Sequence, residues 1–202
     1  MKKPTTKSDQ TRAQIIDGAL RAMSKTGVIG TTTRQIATEA GVQLATLHYH
    51  FDSKSALLVA VLEAYIDDMA ARLRRQQVKS GADLDDGIEQ LLLGIWRSVM
   101  RTKSIQIVQY ELTLYALREG AEWLAERQYA AYHRLYHEHL MSITQGPRQL
   151  PAAACDALAR FILAGVDGLI LQELAKPSRA RSKRGIDALI AATQAYAHQL
   201  AQ

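Results

Sequence analysis

Arg34, Gln43, His48, Tyr49, His50 and Lys54, with the hydroxyls of Thr33 and Thr46, crowd into the stretch TTRQIATEAGVQLATLHYHFDSK between Thr32 and Lys54. These are cations, an amide, imidazoles, a phenol and hydroxyls, a set suited to phosphate oxygens and base edges. An arginine can span a guanine edge with two hydrogen bonds, and a glutamine can pair with adenine. A threonine opening a helix leaves backbone N–H groups free to meet phosphate. These side chains need a scaffold, and the apolar residues between them supply it. Ile36, Ala37 and Ala40 recur at helical spacing and form an inward face. Gly41 supplies a turn, where a residue free to take positive φ is cheapest. Val42 and Leu47 continue the inward set, and Phe51 closes it. The stretch reads as two short helices at a tight turn, the second presenting a polar face as a major-groove reader does.

Other chemistries find less support. The chain has no Gly-rich phosphate loop and no G-x-S-x-G nucleophile motif, so an enzyme is not expected. His133 and His137 share a helix face at metal-binding spacing, but His139 falls on another side. No cysteine or carboxylate completes a set from that face, and neither metal nor cofactor is expected. Asp83, Asp85 and Asp86 read as the acidic start of a helix, which the helix dipole favours.

The same stretch resembles the DNA-binding domain of TetR-type transcriptional regulators. The matching residues are Thr32-Thr33-Arg34, Ile36-Ala37, Ala40-Gly41-Val42, Thr46-Leu47, Tyr49-His50-Phe51 and Ser53-Lys54. The Tyr-His-Phe ending, followed by Ser-Lys and a long amphipathic helix, carries most of the specificity. The resemblance implies that Leu44, Ala45 and His48 sit where family members meet base edges. It also implies that Thr46, Tyr49, His50 and Lys54 anchor the DNA backbone. Two positions depart from the family's habit: Gln43 stands where a serine or threonine is usual, and His48 where a tyrosine is. These departures bear on the operator sequence, not on the act of binding.

Composition fits a globular helical protein. The 202 residues are 48% hydrophobic with only four prolines, and apolar residues recur every three to four positions almost throughout. The fold class expected is all-α, with about nine helices. A single cysteine, Cys155, fits a reducing compartment. No apolar segment follows the basic start MKKPTTKSDQ and no run of about eighteen uncharged apolar residues occurs, so neither a signal peptide nor a membrane span is expected, and the location expected is cytoplasmic. Residues 1–54 hold eight basic and four acidic residues, which accounts for +4 of the net +5. A polyanionic partner therefore suits that quarter better than the whole molecule.

Residues 1–54 form the expected helix-turn-helix domain and residues 55–202 the expected ligand-binding and dimerisation domain. Helix one is expected to start at Ser8 or Asp9 and to end at Gly27, burying Ile16, Ala19, Leu20 and Met23. Asp52 or Ser53 should cap helix four, which links the domains and is expected to reach Gln77, with Arg72, Arg74 and Arg75 near its end. Lys79-Ser80-Gly81 separates it from helix five. Further helices are expected at about 104–118, 122–144, 152–175 and 182–201, with Gly146-Pro147 in a loop.

The resemblance implies a small-molecule pocket within helices five to seven. Its candidate lining residues are Tyr65, Met69, Trp96, Met100, Tyr110, Tyr115, Trp123 and His133, although large side chains at helical spacing are also ordinary core. Glu111, among apolar neighbours, could anchor a cationic ligand or stand exposed. Helix eight is apolar on nearly all sides and helix nine is amphipathic, a pairing that calls for burial on two sides. Two subunits donating both helices to one contact would provide it, as is typical of the family, with Phe161, Gly165, Gly168, Leu169, Leu189 and Tyr196 at the interface. A single-chain core is the alternative. Asp167, inside helix eight, needs a partner or solvent.

Taken together, these features describe a homodimeric regulator that binds double-stranded operator DNA. A small-molecule ligand would release it by changing, through helix four, the separation of two readers. The competing reading is a small all-α ligand-binding or scaffold protein that binds no operator.

Overall fold

The computed structural model describes residues 6–75, 83–143 and 150–201. Residues 1–5 of the basic arm, the expected extension of helix four to Gln77, the break at Lys79-Ser80-Gly81 and the Gly146-Pro147 loop lie outside these residues. So do the side chains of Arg74 and Arg75. The described residues form nine helices and no strand: α1 (Lys7–Gly30), α2 (Thr33–Ala40), α3 (Leu44–His50), α4 (Lys54–Arg75), α5 (Leu84–Arg101), α6 (Lys103–Arg118), α7 (Glu122–Ile143), α8 (Ala152–Ala175) and α9 (Arg179–Leu200). None of them is long and apolar enough to cross a membrane. Two compact units result. One holds the described residues up to Asp67 together with Ser104–Gln128; the other holds the described residues of Asp68–Lys103 and Tyr129–Gln202.

In the first unit, local chemistry sets the helix ends. α1 starts before the expected Ser8 or Asp9. Thr6 is the cap, and Asp9 is its reciprocal partner three residues on. The Thr6 hydroxyl accepts from the Asp9 N–H at 3.1 Å, and the Asp9 carboxylate accepts from the Thr6 N–H at 3.0 Å. Thr32 and Gln35 repeat the device at the start of α2. Gly41 ends α2 in the left-handed region, φ 66°, as a glycine at that position should. Ser53 begins α4, its hydroxyl accepting from the Ala56 N–H at 3.1 Å.

The core of this unit joins Ile15, Ile16, Ala19 and Met23 of α1 to Ile36 and Ala40 of α2. It continues through Leu47, Phe51, Leu57, Leu58 and Val61 to Val108 and Leu112 of α6. Leu20 is only partly buried against it. A smaller cluster of Leu62, Ala116, Leu124 and Ala125 lies beside it.

In the second unit, Asp83 caps α5 by accepting from the Asp86 N–H at 2.8 Å. α9 reaches that end of α5: Gln194 donates to the Asp85 carbonyl at 3.1 Å, and His198 lies 2.9 Å from the Asp85 carboxylate. α9 starts three residues earlier than expected. The Ser178 hydroxyl accepts from the Arg181 N–H, and Pro177 just before it ends the previous segment.

Asp167 of α8 accepts a hydrogen bond from Tyr129 of α7, which answers the question its position posed. Burial, then the Asp167 charge and that hydrogen bond, push the Tyr129 phenol up to about 12.

Glu173 is the buried carboxylate that sequence patterning passes over. It is 6% exposed and accepts from Lys103 Nζ at 2.9 Å, from the Ser178 N–H at 3.0 Å and from the Ser182 hydroxyl. These hydrogen bonds, Ser182's first, hold its carboxyl at about 2 against an ordinary 4.5. A carboxyl lowered in the folded state adds stability that is complete above pH 4.5 and is lost as the pH falls toward 2. Glu173→Gln is therefore expected to be less stable at neutral pH. Its stability, followed by urea melts, should also fall less steeply than the parent's between pH 4.5 and 2.

Candidate nucleic-acid interface

The reader is α2, the Gly41 turn and α3. Its underside is fully packed: Ile36 is 0% exposed, Leu47 1% and Phe51 4%. α1 grips α2 from behind. Gln14 Nε2 donates to the Ala40 carbonyl at 2.7 Å, and Arg21 donates to the Glu39 carbonyl at 2.6 Å. Lys25 Nζ reaches the Glu39 carboxylate at 2.6 Å. Arg12 lies over the Phe51 ring, 5.2 Å from its centre. With its backbone held on that side, the pair of short helices presents its other face rigidly.

That face carries most of the residues expected on it. Arg34, Gln43, Ala45, His48 and Tyr49 are exposed; Thr33, Thr46 and His50 are half-buried. Tyr49, at 82% exposure, is far more open than an apolar ring normally stands. Its one ring contact among the described residues is an edge-on approach to His50, with centroids 5.3 Å apart. Gln43 occupies the cap position of α3 but makes no side-chain cap hydrogen bond. Its amide is thus not spent on the helix end.

Two of the expected contact residues are turned toward the protein. Leu44 packs partly against the core of the first unit, because the first turn of α3 faces that core as much as the surface. Lys54 donates its ammonium to the Val28 carbonyl at 3.0 Å and lies 5.9 Å from the Tyr115 ring centre. Burial pulls its pKa down. Both features make it a scaffold residue first.

The expected ligand residues divide between the units. Tyr65, Tyr110, Tyr115 and Trp123 belong to the first; Met69, Trp96, Met100 and His133 belong to the second. Tyr65 is buried, its hydroxyl accepting from Gln106 Nε2 at 2.6 Å. Trp123 is half exposed. His133 lies 3.0 Å from the Asp156 carboxylate and stacks on His137 with ring centres 6.2 Å apart. No group of three metal-ligating side chains occurs among the described residues.

Sequence reading missed a buried amide ladder. Gln106, Gln109 and Gln128 are all nearly inaccessible; Thr113 donates to Gln128 at 3.0 Å, and Gln128 donates to Gln109 at 3.3 Å. Its one signal was the i, i+3 placement of Gln106 and Gln109 on the inward face of α6. The second unit also contains a cleft of about 270 Å³ walled by Trp96, Leu169, Gln172, Glu173 and Arg181. Of the eight ligand candidates, only Trp96 lines it.

The expected interface residues lie on α8 and α9. Phe161 meets Tyr196 edge to face at 5.5 Å. A Cβ on Gly165 would come within 2.4 Å of Leu189 Cδ1, so the two helices touch there, whereas one on Gly168 would meet nothing within 4 Å. Phe161, Ala164 and Leu171 are exposed, and with half-buried Gly168 they form a three-and-four-spaced apolar strip.

A packed pair of short helices with an exposed polar and aromatic face, set on an all-α body, defines a helix-turn-helix DNA-binding protein. Residues 15–61 match the model of the bacterial regulatory proteins of the tetR family. Over 188 residues the chain is 32% identical to the HTH-type nicotine-responsive transcriptional repressor HdnoR of Paenarthrobacter nicotinovorans, covering 89% of this chain and 91% of that one. It is 29% identical to the HTH-type transcriptional repressor KstR2 of Rhodococcus jostii, over 57% of this chain and 56% of that one. The crystal structure of the multidrug binding protein EbrR complexed with imidazole superposes with a TM-score of 0.63 at 25% identity, covering 89% of this chain and 88% of that one. The fold of Salmonella enterica GusR is also shared, with a TM-score of 0.74 at 18% identity, over 97% of this chain and 100% of that one. The chain belongs to the tetR family and is a DNA-binding transcriptional regulator.

Proposed function

We propose that the protein is a homodimeric repressor without catalytic activity, released from a near-palindromic operator by a small organic molecule. The observation that carries this reading is the exposed row Gln43, Ala45, His48 and Tyr49 over the buried Leu47 and Phe51. Residues 1–54 read the DNA, and residues 55–202 dimerise and hold the ligand. HdnoR, a relative that spans nearly this whole chain, is nicotine-responsive, which supports a small organic effector here too. Within the first unit, Tyr65 and the buried Gln106, Gln109 and Gln128 offer it hydrogen-bonding groups among apolar neighbours. The apolar strip on α8 supports dimerisation, because such a strip left in water is unfavourable.

Two readers on a twofold axis would contact half-sites separated by about one turn of DNA, roughly 34–36 Å. The test selects duplexes from a random pool with the full chain and measures their affinity against salt. Enrichment of a near-palindrome is expected, with the logarithm of affinity falling linearly with the logarithm of salt. Absence of salt-dependent, sequence-selective binding would favour the scaffold reading. Gly168→Arg adds bulk where the single chain has room, so sedimentation should show a folded monomer whose operator affinity is lost.

A further inference from the structure

We propose that Glu111 positions the DNA reader from α6, by holding the last turn of α1, which runs into α2. The reading of the protein as a DNA-binding regulator underlies this inference, and every group it uses lies in the first compact unit. α1 is broken at Gly27, whose φ of 74° belongs to the left-handed region. Helix restarted after such a break presents N–H groups that need an acceptor from elsewhere.

For Val28, which is wholly buried, that acceptor comes from far along the chain. Its N–H donates to Glu111 Oε2 at 2.8 Å, and its carbonyl accepts from Lys54 Nζ at 3.0 Å. One peptide residue is thus held by opposite charges, an anion from α6 and a cation from α4. Tyr115, one helical turn after Glu111 on the same face of α6, places its ring beneath that cation. Gly27 also leaves the space: a Cβ there would stand 3.2 Å from both Glu111 carboxylate oxygens.

The held peptide leads straight into the reader. The Thr31 hydroxyl, at the C-cap of α1, donates to the Gly27 carbonyl at 2.6 Å, which ties the end of α1 back onto its last turn. Thr32, the next residue, caps α2. Any displacement of α6 that withdraws the carboxylate frees Val28, and with it the start of α2. A charge-assisted hydrogen bond to a buried N–H is among the stronger links a side chain can make. Glu111 therefore acts on DNA affinity without touching DNA.

The experiment uses the full-length protein and a duplex that the wild type has selected from a random pool. Operator affinity and amide hydrogen exchange are measured for wild type, Glu111→Gln and Glu111→Ala. Losing a hydrogen bond to a charged group should weaken operator binding by about tenfold in Glu111→Ala and raise exchange at Val28 by a similar factor. Ile36 and Leu47 should keep their protection. Glu111→Gln, which retains an acceptor oxygen, should recover most of both losses. Because coupling is reciprocal, adding the duplex to wild type should slow exchange at Val28. Wild-type affinity in Glu111→Ala would overturn the proposal, as would protection lost equally across the whole unit. So would an unchanged Val28 amide in wild type on adding duplex, a result that needs no variant to fold. Failure of the wild type to select any duplex would instead overturn the operator-binding reading itself.

Discussion

A protein carrying both Arg34→Ala and Tyr49→Ala is expected to fold and assemble as the parent does, yet to bind its operator at least about 100-fold more weakly. Both side chains are exposed, and neither belongs to the core that joins α1, α2 and α3. Truncating such residues usually changes stability by less than about 0.5 kcal/mol. The double variant gives up the edge-on packing of Tyr49 against His50, and an exposed pair of this kind contributes little. On DNA the balance reverses. A good two-pronged base contact from Arg34 is worth roughly 1–3 kcal/mol, and a hydrogen bond from the Tyr49 phenol to a charged phosphate about 1.5–3 kcal/mol. Losing both near the low end of those ranges amounts to about 100-fold. Fluorescence anisotropy with a selected duplex reads the loss, while circular dichroism and sedimentation confirm fold and assembly. Retention of tight, selective binding would remove the proposed reading face. Lys54→Ala is not an equivalent probe. Its ammonium holds the Val28 carbonyl, so a loss of affinity there would report damage to the scaffold.

Gly18→Ala is expected to destabilise the first unit by about 1–3 kcal/mol and to weaken operator binding with it. Two effects compete at this position. Alanine is the better helix former by roughly 1 kcal/mol, which alone predicts a gain. However, Gly18 is buried in α1 against the end of α2, where a Cβ would stand 2.6 Å from Ala40 Cβ and 2.7 Å from Ala40 Cα and N. Two of those atoms are backbone, so no rotamer change relieves the clash. α2 cannot easily retreat either, since Gln14 holds the Ala40 carbonyl and Gly41 begins the turn. The steric cost therefore outweighs the propensity gain. Because α2 is the element displaced, affinity should fall along with the melting temperature. Thermal melts and anisotropy on the same samples check both, and a higher melting temperature would show that the two helices are not closely packed at Gly18.

Local patterns reported the all-α class, the two short helices around Gly41, a threonine cap at Thr32 or Thr33 and the bounds of α8 from the sequence alone. Helix periodicity, caps and turn glycines act over a few residues, so their signals lie side by side in the chain. The starts of α1 and α9 were misplaced because several good caps stood close together, and only the realised hydrogen bonds distinguish Thr6 from Ser8 or Ser178 from Ser182.

What tertiary structure alone decided is the work of the charged and polar side chains in the interior. Lys54 resembled a DNA anchor and proved to hold a carbonyl 26 positions away; Glu111 was read as exposed or ligand-binding and meets an N–H 83 positions away. Asp167 found Tyr129, and Glu173 found Lys103 and Ser182. A buried polar group must find a partner, but its own sequence neighbourhood does not say which one. That choice belongs to packing, which brings distant helices together.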